Sequence, residues 1–168
     1  MRTDCSVRLA FALAALVVAA DAATKGIIAA VVPYGSSHEW LPVLNIVHLL
    51  NRGAAFSFLH DAGGWQRLFF IGVALVASVL LVFMIRRADS SRAERISFGL
   101  ILGGAVANMI DRIARGAVVD WIDVHWAAHH WPAFNVADIG ITMGAALLIA
   151  YELFGRKRAQ QRAEQERA

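Results

Sequence analysis

Two aspartates lie where an apolar segment long enough to cross a lipid bilayer meets a loop. Asp120 ends the run 116–120, and Asp138 lies at the head of the last hydrophobic stretch. A carboxylate in such a place is costly to desolvate, so each is a candidate functional group. Because the first of these segments runs outward and the second runs back inward, both carboxylates are expected at the same membrane boundary.

Two neighbouring carboxylates are suited to acid–base chemistry. They cannot both ionise easily, so they share a proton and titrate as a coupled pair. One can then take a proton from water while the other donates to a carbonyl oxygen, as in aspartic proteases. For either aspartate alone the alternative is a helix-end cap or a solvated acid, although Asp138 lies too far beyond Pro132 for simple capping. Asp123, one turn beyond Asp120, is the alternative member of the pair.

Polar residues recur at every fourth position of the third apolar segment. Gly104, Asn108 and Arg112 therefore share one helix face, and Gly116 and Asp120 extend that face if the helix continues. A polar stripe on an apolar helix is expected to face the protein interior. We predict that this stripe lines a substrate-binding cavity leading to Asp120. The alternative is a face for close helix packing, with the arginine reaching outward.

Other polar residues have more modest interpretations. Asp21 and Lys25 are spaced i,i+4, so we interpret them as a structural ion pair, with a substrate gate as the alternative. Asn135 lies three residues before Asp138 and can donate a hydrogen bond that orients a carboxylate or the substrate. Ser57 has no evident lysine partner for a serine mechanism.

Three histidines, at positions 125, 129 and 130, raise the question of a metal site. Histidines four residues apart on a helix can bind zinc. Here no glutamate completes an H-E-x-x-H motif, and the neighbouring tryptophans are typical of a membrane interface. We therefore predict neither a metal nor any other cofactor.

The composition indicates a membrane protein. Hydrophobic residues make up 58% and charged residues 17% of the 168 positions, whereas about a quarter of the residues in soluble domains are charged. The net charge of +3 reflects basic residues at segment ends, and no basic stripe interleaved with aromatics predicts a nucleic-acid partner. The single cysteine, Cys5, excludes an internal disulfide and a multi-cysteine metal site.

Four apolar segments predict an all-α integral membrane protein with four transmembrane helices. We place these in one membrane-embedded domain, 1–158, followed by a polar cytoplasmic tail, 159–168. The spans are expected at about 9–32, 68–85, 96–115 and 134–154. A cleavable signal peptide at the amino terminus is the alternative for the first segment, but it would leave only three spans.

The basic residues predict the orientation of the helices. They precede the first segment, lie between the second and third, and follow the fourth: Arg2, Arg8, Arg86, Arg87, Arg92, Arg95, Arg156, Lys157, Arg158. The positive-inside rule then places both termini in the cytoplasm and the regions 33–66 and 114–132 outside. Within the first outer region, Pro42, alternating residues and a turn at 51–53 predict short strands over 40–59 that form a small extracytoplasmic platform.

The chain resembles the bacterial lipoprotein signal peptidases, or signal peptidase II family, over about residues 8–155. Five motifs in order carry the resemblance: Asp21-x-x-x-Lys25, Asn51-x-Gly53-Ala54-Ala55-Phe56-Ser57, Gly103-Gly104-x-x-x-Asn108-x-x-Asp111-Arg112, Val118-Val119-Asp120 and Pro132-Ala133-Phe134-Asn135-x-Ala137-Asp138. The chain departs from the usual pattern at Ala22, Trp121 and Ile139, and none of these changes affects the carboxylates.

The resemblance implies an aspartic endopeptidase of the bacterial inner membrane whose site faces the periplasm. Such enzymes remove signal peptides from prolipoproteins, cutting just before the diacylglyceryl-modified cysteine. Asp120 and Asp138 match the family's catalytic pair, and a further set of positions matches its substrate-positioning residues: Asn51, Gly104, Asn108, Arg112, Asn135. The resemblance also implies contact with membrane lipids and inhibition by globomycin-type cyclic peptides, and we expect a monomer.

Two other classes of function remain open from the residues alone. Charged residues within membrane helices also mark the proton pathways of transporters, but four spans without an inverted repeat argue against a proton-coupled transporter subunit. A non-catalytic scaffold that binds partners through glycine-rich helix faces is the third possibility.

Overall fold

A computed structural model describes residues 2–53, 64–87 and 89–155. Within these ranges the chain forms four α-helices and one four-stranded antiparallel sheet. The helices are α1 (Arg2–Val31), α2 (Trp65–Arg86), α3 (Arg92–Arg115) and α4 (Val136–Ala150), which continues as a π-helical turn, Tyr151–Gly155. The strands are β1 (Ser37–Leu41), β2 (Leu44–Asn51), β3 (Val118–Trp126) and β4 (His129–His130).

All four helices are long and apolar enough to cross a membrane. They coincide with the four predicted spans, although α1 begins well before position 9 and α3 begins at Arg92. The capping box of α3 explains its earlier start, because Ser91 and Glu94 satisfy each other's backbone N–H groups. The predicted strand residues 54–59, including Ser57, lie outside the described residues.

Helix α3 is the centre of the bundle, because α1, α2 and α4 all pack against it. Half of the residues in the most apolar 18-residue stretch of α3 are buried, against 11% in the corresponding stretch of α2. This burial explains how α3 accommodates its polar residues. Glycines allow the close approach: a Cβ on Gly99 or Gly103 would collide with the backbone of α1. In contrast, α2 and α4 make little contact with each other, so a groove remains between them.

Gly104 has a packing role in this arrangement. A Cβ at this position would collide with the carbonyl oxygen of Ala137 and with Ile141 on α4. Gly104 is also absent from the residues that line the large cavity described below. The geometry therefore favours the packing interpretation of Gly104 over the substrate-binding interpretation.

Helix α3 ends at Arg115, as the predicted span does, so Gly116 and Asp120 do not extend its polar face. The helix ends at Arg115 because Gly116, with φ of 78°, adopts the left-handed conformation that terminates helices. The β-branched residues that follow form β3, which pairs along β2 and places Asn51 opposite Val118. The sheet is thus built from two distant parts of the chain, 37–51 and 118–130, of which the sequence predicted strands only in the first.

Candidate active site

Asp120 lies on β3 and is buried at the junction of the sheet with the helices. Its two carboxylate oxygens accept hydrogen bonds from two different side-chain amides. Asn51 donates to Oδ2 at 2.9 Å, and Asn135 donates to Oδ1 at 2.6 Å. The predicted role of Asn135 as a donor that orients a carboxylate is thus seen at Asp120.

Asp138 lies in the first turn of α4. The expectation that it is too far along the chain for capping is wrong, because α4 begins at Val136 and Asn135 is its N-cap. Asn135 and Asp138 form a capping box: the Asn135 side chain accepts from the Asp138 backbone N–H, and the Asp138 carboxylate accepts from the Asn135 backbone N–H at 3.2 Å. The other carboxylate oxygen of Asp138 accepts a hydrogen bond from the Asn108 side chain at 2.8 Å. Asn135 therefore contacts both aspartates.

The surroundings of Asp120 raise the pH at which its carboxyl group loses its proton. Burial raises the pKa of Asp120 to about 6, and the charge of Asp138 acts in the same direction. The hydrogen bonds from Asn51 and Asn135 oppose this shift without cancelling it. Asp120 thus has the environment of an acid that gains and loses its proton close to physiological pH.

Lys25 lies at the centre of a buried polar network beneath the two aspartates. Its ammonium group is 2.6 Å from Asp21 and 2.9 Å from Asp111, and it donates to Asn108 Oδ1 at 3.2 Å. The predicted pair between Asp21 and Lys25 is confirmed, and both side chains are almost fully buried. Sequence analysis assigned no role to Asp111, although its position one turn after Asn108 was a usable signal.

This network determines which way the Asn108 amide points. An ammonium group can only donate, so the oxygen of Asn108 faces Lys25 and its NH2 group faces Asp138. Asp21 acts on α4, the helix that carries Asp138. Its carboxylate accepts a hydrogen bond from the backbone N–H of Ala137, in the first turn of that helix, at 2.9 Å. Lys25 and Asp21 thus help to position Asp138, and neither of them lines the cavity described next.

A cavity of about 770 Å³ opens between α2, α3 and α4, and both aspartates line it. Its walls are otherwise mostly apolar, and polar groups converge at the sheet end: Asn51, Asn108, Arg112, Asp120, Asp138. The structure therefore brings together four of the five predicted substrate-binding residues: three line the cavity, and Asn135 hydrogen-bonds to Asp120. An apolar groove with a few convergent polar groups is typical of a binding site.

Comparison with known proteins shows the family of the chain. A family model described as signal peptidase (SPase) II matches residues 13–154. The chain belongs to the signal peptidase II family. It is 49% identical over 145 residues to the lipoprotein signal peptidase of Cupriavidus necator, covering 86% of this chain and 82% of that protein. The corresponding protein of Serratia marcescens is 46% identical, with 86% and 85% covered.

The solved structures agree as well. A bacterial membrane enzyme determined by the in meso method at 2.3 Å resolution matches with a TM-score of 0.77 and 34% identity, covering 86% of this chain and 87% of that one. Together with its four long apolar helices, this makes the signal peptidase II chain a multi-pass membrane peptidase.

The alternative aspartate of this signal peptidase II chain lies elsewhere. Asp123 does not line the cavity, and it bonds instead to Asn45 and His130 on the sheet. His125 stacks against His130 with ring centroids 5.1 Å apart. Within the described part of the chain, no group of three or more histidine, cysteine, aspartate or glutamate side chains could hold a metal ion.

Arg112 connects the polar end of the cavity to the loop after β2. It donates to the carbonyl oxygens of Asn108 at 3.3 Å and Gly53 at 3.1 Å, and its guanidinium lies 4.9 Å from the centre of the Phe70 ring. Its Nε atom is buried and has no hydrogen-bond partner among the described residues.

We expect Arg112→Lys to lower the kcat/KM of this signal peptidase about tenfold, which corresponds to the loss of one charge-assisted hydrogen bond. A lysine cannot keep two diverging hydrogen bonds and a planar stack at once. Steady-state cleavage assays on purified protein would measure the change. Arg67→Lys is the matched control, since Arg67 is exposed and bonds to Ile113 away from the aspartates. Unchanged turnover in Arg112→Lys would contradict a substrate contact.

Proposed function

We propose that the chain is an aspartic endopeptidase that removes signal peptides from diacylglyceryl-modified prolipoproteins, cutting just before the lipidated cysteine. The observation that carries the proposal is the pair of buried carboxylates, Asp120 and Asp138, held by one asparagine at the polar end of an apolar cavity. The names of the family and of its curated members support the substrate class.

The proposed reaction uses one proton shared by the two aspartates. The ionised carboxylate takes a proton from a water molecule, whose oxygen attacks the scissile carbonyl carbon. The protonated carboxyl group donates its proton to the carbonyl oxygen, which forms a neutral tetrahedral diol. As the diol collapses, the C–N bond breaks, a proton passes to the leaving nitrogen, and the dyad returns to its starting state.

The cavity suits a substrate that arrives from the lipid phase. Because α2 and α4 leave a groove between them, a peptide with an apolar segment can enter from the side while its diacylglyceryl group stays in lipid. The basic residues where α2 ends and α3 begins favour a cytoplasmic location for the end of the helix bundle opposite the sheet. We therefore place the site at the periplasmic boundary of the bacterial inner membrane, with the sheet as the extracytoplasmic platform.

The same arguments set the expectations for partners. A globomycin-type cyclic peptide would occupy the cavity and compete with the prolipoprotein. Both aspartates and the asparagines that bond to them come from one chain, which is consistent with a monomer. Both aspartates lie near the sheet end rather than midway along the helices, a position that favours hydrolysis over proton transport.

A gel-shift cleavage assay tests the proposal. The protein in nanodiscs is incubated with a diacylglyceryl-modified prolipoprotein, with and without a metal chelator. Cleavage that is insensitive to chelator and blocked by globomycin supports an aspartic signal peptidase. Absence of cleavage by well-inserted protein would overturn the proposal, and proton-flux measurements would then test the transporter alternative.

The proposed chemistry predicts a pH dependence. Since the pKa of Asp120 is raised to about 6, the dyad holds one proton below that pH and loses it above. We expect kcat/KM to decline as the pH rises through about 6 toward 8.5. A rate that stays constant from pH 5 to 8 would show that Asp120 does not carry the proton. Circular dichroism over the same range controls for unfolding.

A further inference from the structure

We propose that Asp123 and His130 form a clasp that positions one wall of the catalytic cavity, so that cleavage depends on the charge of this pair. The clasp is defined by these two side chains and by Asn45. The inference concerns residues outside the dyad, and its link to turnover rests on the proposed peptidase function.

The contacts of Asp123 are those of a fixed anchor. Its side chain is largely buried, and Asn45, its partner across the strands, donates to Oδ2 at 2.9 Å. His130 Nδ1 lies 3.0 Å from both carboxylate oxygens. One carboxylate therefore connects β2, β3 and β4.

The segment held by the clasp leads directly to the dyad. Residues 131–134 follow His130 and line the cavity, and Asn135 donates to Asp120. Backbone hydrogen bonds also attach the segment to β3, from Trp131 to Val124, from Trp121 to Phe134 and in both directions between Phe134 and Ile122. Because β4 has only two residues, its backbone pairing alone is weak, and the side-chain clasp adds a needed constraint.

The polar groups around His130 come from β2 and β3. Asp123 on β3 is its acidic partner, and His125 stacks against its ring. From β2 the facing group is the neutral Asn45, and beyond it Glu39 on β1 lies opposite Asn45. Burial opposes ionisation of Asp123, but its bonds from Asn45 and His130 outweigh that effect and lower its pKa.

Asp123 therefore stays ionised over the range in which imidazoles titrate, near pH 6.5. When His130 carries a proton, the clasp is an ion pair. When it does not, only a hydrogen bond remains, so the wall is held less firmly. His130 is half exposed, with 52% of its side chain accessible, and such pairs contribute little individually.

The activity test compares wild type with His130→Asn, which removes the imidazole and keeps a neutral donor. We expect the ratio of their kcat/KM values to be about three at pH 5.5 and about one at pH 8.5. Taking the ratio cancels the pH dependence of the dyad itself. The matched control is His129→Asn, the adjacent exposed residue that is not a partner of Asp123, for which the ratio should be one throughout.

Two outcomes of this test would overturn the coupling to turnover. One is a ratio for His130→Asn that does not change between pH 5.5 and 8.5. The other is a full additional effect of His130→Asn in an Asp123→Asn background, where the charge partner is already absent.

Hydrogen–deuterium exchange tests the clasp without relying on peptidase activity. We expect peptides covering 131–135 to exchange about threefold faster in His130→Asn than in wild type at pH 5.5, and equally fast at pH 8.5. Equal exchange at pH 5.5 would overturn the clasp. A change in exchange together with no cleavage by wild type would instead retain the clasp and overturn the proposed function.

Discussion

Asp120→Asn and Asp138→Asn are each expected to lose cleavage of a diacylglyceryl-modified prolipoprotein by on the order of 10³-fold, while the protein remains folded and inserted. An amide keeps the shape of the carboxyl group but can neither accept the proton of water nor donate one to the carbonyl oxygen. Single-turnover cleavage in nanodiscs would measure the loss. Size-exclusion chromatography would verify that the variants remain monodisperse.

Asp123→Asn is the matched control for these variants. It makes the same substitution on the same strand, three residues beyond Asp120, but outside the cavity. We expect its effect to stay within about fivefold, because it weakens only a partly exposed clasp. Full activity in either dyad variant, or an equal loss in Asp123→Asn, would contradict the site assignment.

Asp120→Asn is also expected to lower the stability of the fold. Both oxygens of Asp120 accept from amide groups whose orientation is set by other bonds: Asn51 Oδ1 accepts from Gly53, and Asn135 Oδ1 accepts from Asp138. An asparagine at position 120 must therefore point its own NH2 group at the NH2 group of Asn51 or of Asn135, which costs about 1–3 kcal/mol. We expect Asp120→Asn to melt below wild type even though it removes a buried charge.

Lys25→Met is expected to lower the free energy of unfolding by about 3–5 kcal/mol. The ammonium group is 1% exposed and lies against Asp21 and Asp111, so its removal leaves the buried Asp21 without its cation and Asp111 with only Arg115. Asn108 also loses the donor that sets its orientation, and activity should fall in the protein that remains folded. Denaturant or thermal unfolding in detergent micelles would measure the change.

The matched control for Lys25 is Arg115→Met. Arg115 bonds to the same carboxylate, Asp111, at 2.6 Å, but 41% of its side chain is exposed. We expect it to contribute no more than about 1 kcal/mol, since solvent screens exposed pairs. Equal destabilisation by the two variants would show that burial of Lys25 is not what makes its network important.

The sequence by itself was sufficient to predict the four helices, the family and one buried ion pair. Long apolar segments between basic loops predicted all four helices, because a bilayer demands about 20 apolar residues whatever the tertiary packing. The motifs predicted the family, which the comparisons confirm. The i,i+4 spacing of Asp21 and Lys25 predicted their ion pair, because helix geometry alone brings such residues together.

Only the tertiary structure decided how the site is assembled. Gly116 ends α3 before Asp120, and the strand that follows finds its partner about 70 residues away, a pairing that local pattern does not encode. The convergence of Asn51, Asn108 and Asn135 on two aspartates is likewise a result of long-range packing. Gly104 was predicted to contact substrate and instead contacts α4, because periodicity shows that residues share a face but not what that face meets.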